Sequence, residues 1–458
     1  MSSGTAAPCH VVAVPYPGRG HINAMLNLCR LLVSHQDSIS ATVVVTEEWF
    51  GLLGGAAAAA ALQGVRFETI PNVIPSEHGR AADMVAFVDA VYTRMAPPFE
   101  RLLDQFAAAP PPPAAIVADV FVPWAVDVGR RRGVPACVLC PISATMFAVQ
   151  HNFHRLPSSV SEVSDGTDPC LIENYIPGLK SIRLSDLAPG HSDEKMLKKT
   201  LEAHAAVRRA NCVIFTSFHE FEGDAIDALR QDLPCPAYAV GPCIPFTSLQ
   251  EPHETNNPDD GEAQISWLDS QPAGSVLYVS LGSYLSVSAA QLDEIAAGLA
   301  ESKAKILWVV HDAGARSRVQ GQVNGLVVPW TDQLRVLCHT SVGGFFTHCG
   351  MNSTLEALYA GVPMLTLPIT FDQPVNSRLI VQVWKIGHGL KEKARADGGI
   401  ISREEIAAAV ERLMRRDTAE AEDMRRRARL MKDASRATVE VGGSSWRDIT
   451  SFISFISQ

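Results

Sequence analysis

Short apolar segments alternate with amphipathic stretches along this chain, and this alternation restricts its fold more than any other feature. The segment 10–17 is apolar and rich in valine, as in a buried strand, the stretch 22–35 has helical spacing, and 40–49 is strand-like again. The same order recurs in the second half, where the apolar segments include 275–283 and 341–347. Because strands that alternate with helices form parallel sheets covered by helices, we predict an α/β protein with doubly wound, Rossmann-like parallel sheets.

A polar, turn-rich stretch separates the two series of strands and helices. Since 458 residues exceed what one hydrophobic core accommodates, we predict two domains. The predicted bounds are 1–242 for the first domain, 243–262 for the linker and 263–437 for the second domain, with a C-terminal helix at 438–458 that packs back on the first domain.

Charge and hydropathy exclude several classes of protein. The formal net charge of −10 leaves no general basic surface for nucleic acid. No apolar run approaches the length of about 18 residues that a membrane span needs, and the N-terminus lacks the pattern of a signal peptide. The ten cysteines lie scattered through apolar runs, which favours reduced thiols. We therefore expect a cytoplasmic monomer with no nucleic-acid partner and no integral membrane segment.

Polar residues stand where the predicted strands end. His21 follows the first strand and the turn "PYPGRG", Asp119 ends the strand-like run "AAIVAD", and Gly282 and Ser283 end "SVLYVSLGS". In doubly wound sheets, ligands bind in the crevice beyond the carboxyl ends of the strands. These residues are therefore candidates for a ligand site.

The run "THCGMNSTLE" at 347–356 has the composition of an anion site at the start of a helix. If a helix begins near Gly350, its unpaired N–H groups and the side chains of Asn352 and Ser353 can donate to a phosphate, with His348 beside them. Glu356 shares a helix face with Asn352 and can accept from the hydroxyls of a ribose. Together these groups suit a nucleotide. The alternative is that Asn352 and Ser353 only cap the helix and that Glu356 is solvated.

The stretch 330–373 resembles the signature box of plant family 1 UDP-sugar-dependent glycosyltransferases. This resemblance implies the GT-B fold, in which two domains face each other across a cleft. Further similarity lies in "PYPGRGHINAMLNL", in the aspartate after "IVA" and in "YVSLGS", so the resemblance covers nearly the whole chain. The "TEEW" run and two departures within the box resemble subgroup 87. The matching box residues are Trp330, Gln333, His339, "THCG", Asn352, Ser353, Glu356, "GVP" at 361–363, Asp372 and Gln373.

The resemblance implies a hexosyltransferase of plant secondary metabolism that uses a UDP-sugar, with glucose as the expected sugar, and no other cofactor. It implies that Trp330 stacks on uracil and that Gln333 and Glu356 contact the ribose. It also implies that the diphosphate is bound by Ser283, His348, Asn352 and Ser353. The sugar hydroxyls are assigned to Asp372 and Gln373. The implied donor-binding residues are Ser283, Trp330, Thr331, Gln333, His348, Gly350, Met351, Asn352, Ser353, Glu356, Asp372 and Gln373.

Two residues depart from the usual box. Asp332 stands where proline is common, and we expect a less rigid turn beside the uracil site. Met351 stands where tryptophan is common. Methionine keeps the backbone N–H but lacks an indole donor, so we expect nucleotide binding to persist and sugar selectivity to relax. The alternative is that Met351 only fills space.

For the chemical step we predict a histidine base in the first domain. A neutral His21 near a helix N-terminus can remove the proton of an acceptor hydroxyl, and Asp119 can stabilise the imidazolium that forms. The alternative is that His21 packs in a turn and Asp119 caps the following helix. The chain has no Asp-x-Asp spacing, so we expect no metal. Direct displacement by the acceptor inverts the anomeric centre.

The acceptor is expected to be a small lipophilic metabolite with a hydroxyl or carboxyl group. The loops of the first domain carry apolar residues suited to such a pocket, and the acceptor-binding candidates are Met146, Phe147 and Phe153. Two alternatives remain from the sequence. One is a UDP-sugar-binding protein with little activity. The other is an NAD-dependent oxidoreductase, because "GRGHINA" with Glu47 and Glu48 on the next strand weakly matches a dinucleotide motif.

Overall fold

The chain forms two compact units, each with its own parallel sheet. A computed structural model describes residues 8–60, 64–79, 83–157, 171–187, 193–249, 261–282, 287–390 and 399–458. The prediction of two doubly wound parallel-sheet domains is confirmed. The first unit comprises Met1–Leu179, Gly190–Ile244 and Ala437–Gln458, and the second comprises Lys180–Pro189 and Pro245–Arg436.

Seven strands among the described residues form the parallel sheet of the first unit. They are β1 (Cys9–Val14), β2 (Ile39–Thr46), β3 (Val65–Ile70), β4 (Pro113–Asp119), β5 (Ala136–Cys140), β6 (Cys212–Phe215) and β7 (Ala237–Ala239). Their order in the sheet is β3-β2-β1-β4-β5-β6-β7. The strand order therefore reverses between β1 and its neighbour β4. In doubly wound sheets, a crevice lies at the carboxyl ends of the two strands at this point.

Helices cover both faces of this sheet. One face packs under α1 (Arg19–His35) and the C-terminal helix Ser444–Ile456, whose Phe452 is fully buried. The other face packs under α4 (Met84–Arg94), α5 (Ala96–Ala107) and α6 (Trp124–Arg132). Every residue of β1 is buried, which explains its continuous apolar sequence. The helices before the C-terminal one are α1 (Arg19–His35), α2 (Glu47–Leu52), α3 (Gly55–Ala60), α4 (Met84–Arg94), α5 (Ala96–Ala107), α6 (Trp124–Arg132), α7 (Ala144–His151), α8 (Glu194–Val207) and α9 (His219–Asp232).

Six strands among the described residues form the parallel sheet of the second unit. They are β8 (Val276–Ser280), β9 (Lys305–Val309), β10 (Gly325–Val328), β11 (Val342–Thr347), β12 (Met364–Thr366) and β13 (Gly387–Gly389). The order β10-β9-β8-β11-β12-β13 repeats the pattern of the first unit. The strand order reverses between β8 and β11, so the second crevice is at the carboxyl ends of these two strands.

The helices of the second unit enclose a core built on Leu277, Trp308 and Phe346. Within the described parts of the chain, no helix is both long enough and apolar enough to cross a membrane. The helices are α10 (Glu262–Asp269), α11 (Ala289–Glu301), α12 (Ala313–Val319), α13 (Gln333–Leu337), α14 (Met351–Ala360), α15 (Gln373–Arg378), α16 (Arg403–Met414) and α17 (Ala419–Ala437).

One domain boundary differs from the sequence prediction. The segment Lys180–Pro189, which was predicted within the first domain, belongs to the second unit. Its Asp186 is buried and accepts a hydrogen bond over 3.0 Å from Nε of Arg378 in α15. A boundary read from composition cannot reveal an ion pair between residues so far apart in sequence. Of the predicted linker 243–262, residues 250–260 lie outside the described residues.

Candidate active site

His21 and Asp119 meet at the crevice of the first unit. His21 lies in the first turn of α1 after β1, and Asp119 is the last residue of the neighbouring strand β4. Nδ1 of His21 lies 2.8 Å from Oδ2 of Asp119, in hydrogen-bond contact. A carboxylate can only accept, so in the neutral ring Nδ1 carries the proton and Nε2 is the unprotonated nitrogen.

The second oxygen of Asp119 fixes the carboxylate to the backbone. Oδ1 accepts from the N–H of Phe121 over 2.9 Å. Helix α6 begins at Trp124 with Pro123 before it, so Asp119 does not cap that helix. The alternative of a capping aspartate is therefore wrong, and the carboxylate is held by a tight turn and by the histidine.

Two aromatic side chains enclose the His21 ring. The centroid of Tyr16 lies 5.0 Å from that of His21, and the centroid of Phe121 lies 5.8 Å away in an edge-on arrangement. Tyr16 is buried and Phe121 is partly buried. The sequence analysis did not identify either residue. Their positions, one just after β1 and one just after Asp119, are the strand-end signal that could have found them.

The predicted acceptor residues fall into two groups. Met146 and Phe147 lie in α7, all of whose residues are buried, and Phe147 has no exposed surface. Its ring packs edge-on against Phe215 of β6 with 5.2 Å between centroids, so it belongs to the core. The structure therefore corrects the prediction that Met146 and Phe147 line a pocket. The sequence could not show this, because a helix that is buried on every side has no periodic alternation of apolar and polar residues. Phe153 is partly buried just beyond α7.

In the second unit, the run "THCGMNSTLE" forms the loop after β11 and the start of α14. Gly350 precedes the helix and Met351 is its first residue, so Asn352 and Ser353 lie in the first turn as predicted. Both side chains are partly buried. Cys349 has φ +66°, a left-handed conformation that residues other than glycine rarely adopt. The chain therefore turns sharply at Cys349, directly before α14 begins.

His348 is packed against two glycines. A Cβ atom on Gly282 would lie 2.9 Å from Nε2 of His348, and one on Gly350 would lie 2.7 Å from it. Only glycine leaves room for the ring at these two positions. Burial lowers the pKa of His348 to about 4, so the ring is neutral near pH 7 and offers an N–H donor without positive charge. The predicted Ser283 lies outside the described residues.

A hydrogen-bond network joins the predicted ribose residues. Nε2 of Gln333 donates to Oε2 of Glu356 over 2.5 Å and to Oγ of Ser353 over 2.9 Å. The Tyr278 hydroxyl donates to Oε1 of Gln333 over 3.3 Å and lies 2.9 Å from Oγ1 of Thr331. Thr331 is buried in this network, and Tyr278 is a residue that the sequence analysis missed. The network fixes the direction in which Gln333 and Glu356 face.

The environment of Glu356 disfavours its charged form. Enclosure by protein raises the pKa of Glu356 to about 7, although the hydrogen bond from Gln333 acts in the opposite direction. A carboxyl group with this pKa changes charge near neutral pH. Ligands that donate two hydroxyl hydrogens would favour the carboxylate form.

Trp330 and Asp332 flank the start of the short helix α13. Trp330 is 52% exposed, which leaves its indole face available for stacking. Asp332 caps α13 by accepting from the N–H of Arg335 over 3.1 Å. The expected looser turn is corrected here, because a side-chain cap fixes the turn in place of a proline ring.

Asp372 and Gln373 begin α15. Oε1 of Gln373 accepts from the N–H groups of Ile369 and Thr370 over 2.7 and 3.1 Å, so its amide NH2 group is the part that can donate to a ligand. Oδ2 of Asp372 accepts from Nδ2 of Asn376 over 2.8 Å. Met351 is buried at the start of α14. Within the described residues, no cluster of three metal-ligating side chains occurs.

Comparisons with known proteins agree with one another. The model of the family UDP-glucoronosyl and UDP-glucosyl transferase matches residues 251–437. UDP-glycosyltransferase 87A2 of Arabidopsis thaliana is 44% identical and covers 98% of this chain and 97% of its own. UDP-glycosyltransferase 87A1 of the same plant is 41% identical and covers 97% of this chain and 100% of its own.

A solved structure shows the same fold. A UDP-glucosyltransferase from Polygonum tinctorium capable of glucosylating indoxyl is 28% identical, covers 99% of this chain and 100% of its own, and superposes with a TM-score of 0.82. The predicted GT-B fold is thus confirmed, and the oxidoreductase alternative is set aside. The chain is a member of plant UDP-glycosyltransferase family 1, subgroup 87, an enzyme that transfers a hexosyl group from a UDP-sugar to an acceptor.

Proposed function

We propose that the enzyme is an inverting glucosyltransferase that moves glucose from UDP-glucose to a hydroxyl or carboxyl group of a small lipophilic plant metabolite. The observation that carries the chemical part of the proposal is the hydrogen bond of 2.8 Å between His21 and Asp119 at the crevice of the first unit. Because Nδ1 is engaged by the carboxylate, Nε2 is the nitrogen that takes a proton.

The reaction is a single displacement. Nε2 of His21 takes the proton of the acceptor hydroxyl while the acceptor oxygen forms a bond to the anomeric carbon. The bond from that carbon to the UDP oxygen breaks, and UDP leaves with the electron pair. Asp119 stabilises the imidazolium as it forms. Attack opposite the leaving group converts a UDP-α-sugar into a β-glycoside. An acceptor carboxylate already carries the charge and needs no base.

The donor is held by groups of the second unit. Trp330 stacks on uracil, and Gln333 and Glu356 bind the ribose hydroxyls. The first turn of α14 meets the charge of the leaving diphosphate with its N–H groups. His348, Asn352 and Ser353 bind the same diphosphate, and Asp372 and Gln373 bind the sugar hydroxyls. Ser283, which lies outside the described residues, keeps the diphosphate role that the family resemblance implies. No metal and no further cofactor is proposed, because oriented N–H donors stabilise the leaving group.

The acceptor class follows from the residues around His21. The rings of Tyr16 and Phe121 give the base an apolar, aromatic wall, which suits an aromatic or other lipophilic hydroxyl compound. The relative from Polygonum tinctorium, which is capable of glucosylating indoxyl, supports a small aromatic acceptor. The expectation of a cytoplasmic monomer stays a prediction.

A mass-spectrometric screen tests the proposal. The purified enzyme is incubated with UDP-glucose and a panel of phenols, terpenoid alcohols and carboxylic acids, and products are analysed for the anomeric configuration by NMR. We expect β-glucosides of at least one lipophilic class. UDP binding without turnover on any class would favour the alternative of a UDP-sugar-binding protein, and an α-glycoside would contradict inversion.

A further inference from the structure

Asn376 joins two parts of the donor site that lie far apart in sequence. Its side chain is buried in α15, and both hydrogens of its Nδ2 group have acceptors. One bond, of 2.9 Å, goes to the backbone carbonyl of Cys349, and the other, of 2.8 Å, goes to Oδ2 of Asp372. The amide therefore spans from the loop before α14 to the carboxylate assigned to the sugar.

The bond to Cys349 supports an unusual backbone. Cys349 has a left-handed conformation, and its N–H donates to Oγ1 of Thr347 over 3.2 Å. Thr354 donates to the carbonyl of Gly350 over 3.1 Å on the other side of the turn. The Cys349 carbonyl lies between the residues that make these two bonds, and it accepts from the Asn376 amide. Strained loops of this kind persist only when several contacts fix them.

The bond to Asp372 fixes a carboxylate. Asp372 precedes α15, and a side chain at a helix start can rotate unless a donor holds it. Asn376 lies one helical turn after Asp372, and its amide group orients the Asp372 carboxylate by donating to Oδ2. The same amide group thus sets both the direction of the phosphate-side loop and the direction of the sugar-side acid.

We propose that Asn376 is a positioning residue that holds the diphosphate-binding loop and the sugar-binding Asp372 in a fixed arrangement. The inference rests on the proposed donor site. It assigns Asn376 no contact with uracil or ribose, because its bonds reach neither Trp330 nor Glu356. Loss of the bridge should therefore spare the nucleoside and act on the diphosphate and the hexose.

The test uses a graded series of ligands on the full-length enzyme. In Asn376→Asp, an oxygen replaces the NH2 group at nearly the same volume and faces a carbonyl and a second carboxylate. Inhibition constants of uridine and UDP and kcat/KM for UDP-glucose are measured. We expect uridine to bind within about twofold of the wild type, UDP about tenfold more weakly, and kcat/KM to fall about 100-fold. The matched control is Asn324→Asp on the exposed surface of the same unit, which should change none of the three.

Each outcome decides the inference. Equal losses for uridine, UDP and transfer would mean a general defect and would overturn it, as would UDP affinity and transfer equal to the wild type. If Asn376→Asp does not fold, Asn376→Ser replaces it, because a hydroxyl donates to only one of the two acceptors and should give a smaller loss in the same order. A wild type that binds neither uridine nor UDP would refute the proposed donor site itself, which is a different result.

Discussion

Asp119 is completely enclosed by protein, whereas the His21 side chain that it contacts is 27% exposed. The carboxylate therefore anchors the ring from the buried side through Nδ1. Since a histidine ring has only two nitrogens, any proton that the neutral ring takes up arrives at Nε2. This relationship fixes the tautomer and the orientation of the His21 ring, as the proposed role of His21 as a general base requires.

Glu356 should make UDP binding depend on pH near neutrality. Its pKa is raised to about 7 in the unliganded protein, and ribose hydroxyls that donate to it favour the carboxylate. UDP affinity should therefore be constant above that pKa and should weaken as the pH falls below about 7. Calorimetric titration of UDP between pH 5.5 and pH 8.5 measures this, with pH values chosen about the raised pKa. In Glu356→Gln the affinity should be weaker at high pH and should depend less on pH.

The same group has an opposite effect on the stability of the unliganded protein. Because the folded-state pKa of Glu356 is above its ordinary value of 4.5, the folded state holds a proton that the unfolded state has lost between about pH 4.5 and pH 7. Stability from this group is present below pH 4.5 and is lost as the pH rises through about 7. Relative to Glu356→Gln, the melting temperature of the wild type should fall across this interval. A constant difference between the two proteins would contradict the raised pKa.

Met351→Trp should act on the sugar more than on the nucleotide. Its backbone N–H remains at the first residue of α14, so UDP affinity should stay within a few fold, while the ratio of UDP-glucose to UDP-galactose use should change. The site is buried, and the larger ring should also destabilise the fold by about 1 to 3 kcal/mol. Competition assays with paired donors measure the ratio, and Met351→Leu is the control of similar volume. Loss of UDP binding with unchanged donor ratios would contradict the assigned geometry.

The buried ion pair of Asp186 and Arg378 should stabilise the second unit. In Arg378→Ala the Asp186 carboxylate would keep the N–H of Arg183 as a donor but would lose its cation inside the protein. Breaking such a pair typically lowers the free energy of unfolding by about 3 to 5 kcal/mol. Urea unfolding of the full-length enzyme would measure this loss. Arg318→Ala is the matched control, because Arg318 pairs with Asp293 on the exposed surface, and its effect should be much smaller. Equal midpoints for the two variants would show that the buried pair contributes no more than the exposed one.

Most of the fold could be predicted from the alternation of strand-like and helix-like segments in the sequence. Buried strands such as β1 are continuous apolar runs, and His21, Asp119 and His348 stand at strand ends, where the topology of parallel sheets places ligands. These features depend on local sequence and on one general rule of sheet topology. They were therefore accessible without a structure.

The remaining features depend on contacts between distant segments. Phe147 was assigned to a pocket because it is apolar, but only its packing on Phe215 shows that it belongs to the core. The network of Tyr278 with Gln333 and the bridge of Asn376 likewise join residues from different elements. Spacing along the chain carries no signal for such pairs.

Transfer should need no added metal. The proposed stabilisation of the leaving diphosphate comes from N–H donors at the start of α14, so excess chelator should leave the rate unchanged. Initial rates with and without EDTA measure this, with Mg²⁺ and Mn²⁺ added back in turn. A large loss on chelation that either ion restores would contradict the proposed donor site.

The rate of glycosyl transfer by His21→Ala, measured at saturating UDP-glucose and acceptor alongside UDP affinity, tests the central claim most directly. A general base typically contributes a factor of about 10² to 10⁴, so transfer to a hydroxyl acceptor should fall by that factor while UDP affinity stays unchanged. Asp119→Asn should lower the rate in the same direction, because an amide cannot stabilise imidazolium as a carboxylate does. The matched control is His219→Ala, since His219 contacts Asp227 over 3.0 Å on the exposed surface of the same unit and should retain full activity. Wild-type turnover in His21→Ala would contradict the account.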